Sequence, residues 1–321
     1  MTKVRSKNKF LVIIGLVVVM AAGILLYGCS SGTTSTDTGN ATTSDQSSTA
    51  TTSTSDQTMT GSINVVSRED GSGTRSAFTD LFGVQTANSD GTMADATTTT
   101  ATITNSTSSM MTTVAGDTQS IGFVSLASLD STVKALTIDG VTPTAANVKS
   151  GTYAYSRPFN LVTTGTPSAA AQDFINFIMS QEGQQVISDN NCTAIDDNAT
   201  PYSQDTTATG QVVVSGSTSM YPILEKLQTA YAAVNSNVTV DIQTSDSTTA
   251  VSSTVSGACD IGMVSRALED SETSQGLSST TIATDGIAVI VNNNNPLTGL
   301  TKDQVTSIFL GQTTNWEDLS S

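Results

Sequence analysis

Between Ile63 and Phe78 the chain reads as a strand, a glycine turn and a helix. The strand Ile63–Ser67 runs into Gly71-Ser72-Gly73-Thr74, and Ala77, Phe78, Leu81 and Phe82 follow at helical spacing. A glycine-rich turn at a helix start aims unpaired backbone N–H groups at one point. Ser72 and Thr74 add hydroxyl donors there, and the helix dipole favours negative charge. Arg68 ends the strand and reaches the same point as a forked cation, while Asp70 is placed to hold it by ion pairing. Residues of these types at this spacing make a cradle for a tetrahedral oxyanion. The four turn residues alone would read as an ordinary capped helix; Arg68 and Asp70 tip the reading toward an anion. No Lys follows the glycines, so a nucleotide P-loop fits poorly.

Two further turns carry small hydroxyl residues before a helix. In Val212–Pro222, Gly216 permits close backbone approach, and Thr218 and Ser219 offer hydroxyl and N–H donors. In Ser245-Asp246-Ser247-Thr248-Thr249 the same residue types follow the strand Val238–Ile242. Read alone, the first is simple N-capping and the second a polar loop.

Several segments together carry a resemblance. Ser67–Phe78, Gly216–Pro222, Asp260–Arg266, Asp285–Val291 and the run from Leu300 to Gly311 with Asn315-Trp316 resemble the phosphate-binding protein of the bacterial high-affinity phosphate ABC importer. The resemblance spans nearly all of residues 61–321. It implies an α/β fold of the type II periplasmic-binding-protein class: two lobes with mixed, mostly parallel sheets, and a ligand clamped between them. It also implies phosphate-ligand roles for Thr218, Ser219, Ser247 and Ser265 on one lobe and for Arg68, Ser72, Gly73 and Thr74 on the other, with Asp70 supporting. Some family members carry an Asp, which accepts the proton of hydrogen phosphate, where Ser265 stands here.

The order of the segments differs from the family's. There the Gly216–Pro222 motif comes first and Asn-Trp precedes the arginine–glycine segment; here Asn315-Trp316 ends the chain and Arg68–Thr74 begins it. Joining Ser321 to Ser62 restores the family order, with the family's own ends bridged through Ala199–Gly210. The halves are therefore expected in circularly permuted order. A truncated tandem, or completion of the site by domain swapping, are the alternatives.

The elements that must place these residues are legible as short Val- and Ile-rich strands alternating with helices, which argues for α/β layers. Strands are expected at Ile63–Ser67, Ile121–Ser125, Ala135–Ile138, Phe159–Thr163, Gln211–Ser215, Val238–Ile242, Ile261–Val264 and Gly286–Val291. One helix opens at Pro222, with Ile223, Leu224, Leu227, Ala230 and Tyr231 on one face; another carries Ala171, Phe174, Ile175 and Ile178 toward Ile187. A third starts at Thr301, where Thr-Lys-Asp-Gln fits a capping box, and stops at Gly311. The expected lobes are 61–134, with 292–321 returning to it, and 135–291, which includes the 199–210 connection.

Ahead of them, Lys3, Arg5, Lys7 and Lys9 precede an apolar run from Phe10 to Leu26 and then Gly28-Cys29-Ser30. This is the pattern of a lipoprotein signal peptide over 1–28, with Cys29 the lipidated residue; an uncleaved anchor helix is the alternative. Residues 29–60 read as a flexible stalk: positions 30–60 hold 20 Ser or Thr among 31 residues. Loss of 1–28 takes the formal net charge from −16 to about −20, which disfavours nucleic acid and anionic lipid surfaces as partners. A buried anion site remains compatible, because local dipoles govern it. The chain has no histidine, which removes Ser-His-Asp chemistry and His-ligated zinc. Cys192 and Cys259 make no disulfide framework, although one bridge is permitted outside the cell. The expectation is a non-enzymatic, lipid-anchored receptor on the extracellular face of the membrane. It needs no cofactor or metal, and its partners are inorganic phosphate and the membrane subunits of an ABC permease. A receptor for sulfate, molybdate or tungstate, and a surface phosphatase or adhesion protein on the same scaffold, are the competing readings.

Overall fold

The computed structural model describes residues 59–320. The expected signal peptide, Cys29 and all but the last two residues of the stalk lie outside the described residues.

The chain first lays down β1 (Asn64–Arg68), α1 (Gly73–Phe82), the small hairpin β2 (Gln85–Ala87) and β3 (Met93–Asp95), β4 (Thr102–Thr104), α2 (Thr107–Ala115) and β5 (Ser120–Ser125). Two short strands, β6 (Val133–Ala135) and β7 (Thr137–Ile138), and α3 (Ala145–Lys149) complete this part. It then leaves through β8 (Ser156–Thr164) and builds α4 (Ala169–Met179), α5 (Gln181–Ser188), β9 (Thr193–Ala194), β10 (Gly210–Ser217) and α6 (Tyr221–Val234). After these come β11 (Val238–Ser245), α7 (Ser247–Val255), β12 (Ile261–Val264) and α8 (Asp270–Thr273). It returns through β13 (Leu277–Asn292) and finishes with β14 (Gly299–Leu300) and α9 (Lys302–Phe309).

Two main apolar cores divide the molecule into lobes, with a small third cluster of Val162, Ala250, Val251 and Val264 beside the second. One gathers residues from Val65 to Tyr153 and again from Ile287 to Trp316; the other gathers Phe159 to Ala283. Leu136, Ile138, Val148 and Tyr153 belong to the first core, as do Ile287–Val291. The first lobe therefore extends well beyond the border expected at 134/135, and the chain re-enters it before 291/292. The reason is geometric: the crossing is made inside β8 and β13, strands long enough to serve both lobes.

The main sheet runs β11-β10-β12-β8-β13-β5-β1-β4. Strands within each lobe pair in parallel, β10 with β11 and β12, and β1 with β4 and β5. Antiparallel pairings are as prominent, and all but one of those between the strands named above involve β8 or β13. The sheet is thus mixed without the expected parallel majority. A chain that goes out along one connecting strand and back along another must run them in opposite directions.

The helices form for local reasons. Ser72 caps α1 by accepting the Arg75 N–H, and Gly83 closes the helix in the left-handed region. Phe78 stacks on Phe123 at 4.0 Å between ring centroids and packs against Phe309 at 4.6 Å. Burying such a ring stabilises by roughly 1.5–3 kcal/mol, and here it fixes where the start of α1 points. The capping box expected at Thr301 is present, closed by Gln304. The helix expected to run from Ala171 to Ile187 is broken at Ser180, which ends α4 and caps α5.

Candidate functional site

The glycine turn after β1 meets the second lobe directly. Gly71 has φ +85°, a backbone state that glycine favours, and its carbonyl accepts the Thr248 N–H at 3.2 Å. A Cβ at Gly73 would collide with Ser247 Oγ and lie 2.7 Å from Ser265 Oγ. Only a glycine lets the start of α1 approach the opposing hydroxyls this closely. The helix bonds begin with Ser76 N–H to the Ser72 carbonyl, so the N–H groups of Gly73 and Thr74 have no intrahelical acceptor. Thr74 Oγ1 is buried and has no hydrogen-bond partner. Ser67 Oγ, at the end of β1, is likewise buried and unpartnered.

Arg68 is 2% exposed. Its Nε and Nη2 donate to the two Glu69 carboxylate oxygens, each at 2.7 Å, and Nη2 also donates to Thr218 Oγ1 at 3.1 Å. The supporting role expected of Asp70 is corrected: Asp70 is exposed and pairs with Arg75 at 2.6 Å, while Glu69 holds Arg68. The turn geometry points the Asp70 carboxylate outward.

On the second lobe the capping reading of Thr218 and Ser219 does not hold. The N-cap of α6 is Met220, without a side-chain bond, so both hydroxyls are free for other work. Thr218 Oγ1 meets Arg68 and accepts the Thr107 N–H at 3.2 Å; Ser219 Oγ lies 2.9 Å from Ser217 Oγ. The segment read alone as a polar loop starts α7, where Asp246 takes the capping role. Ser247 Oγ is thereby left to accept the Ser265 N–H at 3.1 Å. Ser217 Oγ and Ser265 Oγ are 2.8 Å apart, so Ser219, Ser217, Ser265 and Ser247 form one buried hydroxyl chain opposite Gly73. Ser72 alone of the expected set spends its oxygen on capping; its O–H remains a donor.

Besides Glu69 and Ser217, two more residues of the site escape a sequence reading. Thr107, at the first position of α2, brings a third helix start to the cleft, with its Oγ1 3.2 Å from Arg68 Nη1. Its signal was the hydroxyl run Ser106–Ser109 ahead of Met110, hidden within a long polar stretch. Arg157 is a second buried guanidinium; it pairs with Asp285 at 3.1 Å and donates to Ser219 Oγ and to Ser265. Burial pushes the Arg157 pKa down and that of Asp285 up, and their mutual attraction opposes both shifts. A lone Arg before Pro158 gave no sequence signal.

Cys192 and Cys259 are buried free thiols, so the bridge that the sequence permitted is not made. No helix among the described residues is long and apolar enough to cross a membrane.

Both lobes of one chain thus converge oriented N–H and O–H donors, with a neutralised arginine, on the same cleft. Comparison with known proteins agrees. A PBP superfamily domain matches residues 34–182 and 202–321. The phosphate-binding protein PstS 2 of Streptococcus agalactiae serotype V is 45% identical over 316 residues, 98% of this chain and 99% of its own length. The phosphate-binding protein PstS 2 of Streptococcus pneumoniae serotype 4 is 41% identical over 260 residues, 81% of this chain and 88% of its own. The crystal structure of a phosphate ABC transporter phosphate-binding protein from Streptococcus pneumoniae TIGR4 superposes with a TM-score of 0.64 at 41% identity, covering 81% of this chain and 100% of that one. The chain belongs to the PBP superfamily, alongside the streptococcal phosphate-binding proteins PstS 2.

Proposed function

We propose that this chain captures inorganic phosphate between its lobes and delivers it to the membrane subunits of an ABC permease. The observation that carries this reading is Thr74 Oγ1, buried and unpartnered at the start of α1, where the N–H groups of Gly73 and Thr74 have no intrahelical acceptor and Gly73 faces the Ser247 and Ser265 hydroxyls. A buried donor without an acceptor is costly, and a tetrahedral anion supplies acceptors on every side. The names of the streptococcal relatives support phosphate as that anion. Ligand roles are assigned to Arg68, Ser72, Gly73, Thr74, Thr218, Ser219, Ser247 and Ser265.

The mechanism is binding and release, with no bond made or broken. Donors from the two lobes surround the anion only when the lobes are closed, so the ligand stabilises the closed state by differential affinity. In this reading the protein lies on the extracellular face of the membrane. Cys29 carries the lipid. The order of the halves is a circular permutation of the family's, a reading supported by contacts between Gly61–Ile63 and Thr314–Glu317.

Thermal denaturation with phosphate, sulfate, molybdate or tungstate at about 1 mM tests the assignment, because a ligand that binds the native state raises the midpoint. Phosphate is expected to give the largest shift. No shift with phosphate, or a larger one with sulfate, overturns the reading, and turnover of a phosphate ester would make the protein a phosphatase.

A further inference from the structure

Arg157 and Asp285 face each other at the point where the chain crosses between lobes. They are register partners of β8 and β13; the next pair is Ser156 with Gly286, after which Ile287 pairs with Ser125 of the first lobe. Their side chains are 2% and 0% exposed. A buried ion pair is a poor source of stability, since apolar residues of similar size often do better at lower desolvation cost. What the pair touches is more informative. On the first-lobe side, Asp285 Oδ1 accepts from Ser125 Oγ at 2.8 Å and from the Ala127 N–H at 3.2 Å. On the other side, Arg157 Nη1 donates to the carbonyl and Oγ of Ser265 at 3.0 and 3.3 Å, and Nη2 donates to Ser219 Oγ at 3.3 Å. Ser219 and Ser265 come from different loops, after β10 and after β12. One planar fork spans both.

A serine hydroxyl has one hydrogen to give and two lone pairs to receive. Where a guanidinium N–H fills a lone pair, the hydroxyl hydrogen is left to be donated elsewhere. We infer that Arg157 is a positioning residue for the anion site: anchored by Asp285 at the crossover, it fixes Ser219 and Ser265 as donors aimed into the cleft. This rests on the phosphate-binding reading and deepens it. Because Asp285 is also tied to Ser125 and Ala127, the orientation of these donors depends on how the first lobe sits against the crossover.

Isothermal titration of the protein with inorganic phosphate tests this. Failure of the unsubstituted protein to bind defeats the underlying phosphate reading, a result separate from any effect of substitution at Arg157. Arg157→Lys keeps a charge opposite Asp285 but has one nitrogen, unable to hold both serines. Given binding by the parent, it is expected to raise Kd about tenfold, and Ser219→Ala is expected to cost much less in the Arg157→Lys background than in the parent. A Kd within about twofold of the parent, or strictly additive effects, overturns the inference. If circular dichroism shows Arg157→Lys unfolded, Ser125→Ala decides. That change removes one hydroxyl from the far end of the chain of contacts. A Kd raised about threefold or more supports the inference, and an unchanged Kd overturns it.

Discussion

Arg68 and Glu69, neighbours in sequence, form a two-point ion pair, Nε to Oε2 and Nη2 to Oε1 at 2.7 Å each, with the arginine side chain 3% exposed. The pair leaves the fork pre-set, with Thr107 and Thr218 taking its other edge. Truncating a buried charge that also bonds the ligand costs about 2–5 kcal/mol, so Arg68→Ala is expected to raise the phosphate Kd at least about thirtyfold. Glu69→Ala frees the fork and is expected to weaken binding about tenfold, whereas Asp70→Asn, on an exposed carboxylate, stays within about twofold. Equilibrium dialysis against labelled phosphate measures all three. A larger effect of Asp70→Asn than of Glu69→Ala would return the orienting role to Asp70.

Closeness of approach gives a second prediction. Gly73 has no positive φ, so an alanine there suits the start of α1, but its Cβ would strike Ser247 Oγ on the opposing lobe. Gly73→Ala is expected to keep the ligand-free melting temperature and to lose phosphate affinity by more than about tenfold, because full closure is blocked. Adding Ser247→Gly removes the Ser247 Oγ and Cβ from the path of the new methyl, leaving the Ser265 Oγ at 2.7 Å, and should recover part of the closed population, read by small-angle scattering with phosphate present. Tight binding by Gly73→Ala alone would mean the lobes do not need this contact.

What was legible in the sequence depends on what each residue does locally. Ile261–Val264 matched its strand because it is apolar on both faces, and Thr301 with Gln304 announced a helix start through chemistry confined to one turn. The first half of β13, Leu277–Asp285, lies outside the expected strands: its Ser and Thr residues pair with β8 in the crossover, where partners from far along the chain supply the strand. Arg157 was invisible for the same reason. Its meaning lies in Asp285, Ser219 and Ser265, and no spacing rule links those positions. Gly71–Thr74, by contrast, carries turn, cap and donors within four residues, and the strand-turn-helix expected there is the one the fold contains.

Acid sensitivity should centre on Asp173. This carboxylate of α4 is 1% exposed and accepts from the Tyr202 hydroxyl at 2.6 Å, the Tyr231 hydroxyl at 2.7 Å, Asn235 Nδ2 at 2.8 Å and the Asp205 N–H at 3.0 Å. Burial alone would raise its pKa; the bonds from Tyr202 and Tyr231, with Asp205 and Asn235, outweigh that and hold it below the usual carboxylate value. A lowered native pKa contributes stability that is fully present above the unfolded value of about 3.9 and is lost as pH falls through the native one. Asp173→Asn is therefore expected to cost about 2 kcal/mol at neutral pH, with the gap to the parent closing in acid, as followed by urea melts across pH. Phosphate affinity should not change. An equal gap at neutral and acid pH would show that the charge is not what stabilises.

The same cluster bears on the order of the halves. Tyr202 and Asp205 belong to the 199–210 connection, and Asp173 fastens them to the second lobe. At the other end of the fold, Ile63 N–H donates to the Thr314 carbonyl at 2.8 Å, Trp316 N–H to the Gly61 carbonyl at 2.9 Å, and Gly61 N–H to Glu317 Oε2 at 2.8 Å. Residues far apart in the chain are thus adjacent in space where the proposed permutation needs them, and Ser203 and Gln204 of the connection are exposed. A rearranged chain that begins at Gln204, passes from Ser320 through a short Gly/Ser linker to Gly61 and ends at Ser203 keeps these lobe contacts while taking the order that the proposed permutation assigns to the family. It is expected to fold, to melt within several degrees of the parent and to bind phosphate within about threefold. If residues 211–320 were instead the start of a second copy, the linker would tie together pieces of different domains. The rearranged chain would then fail to give a single cooperative transition.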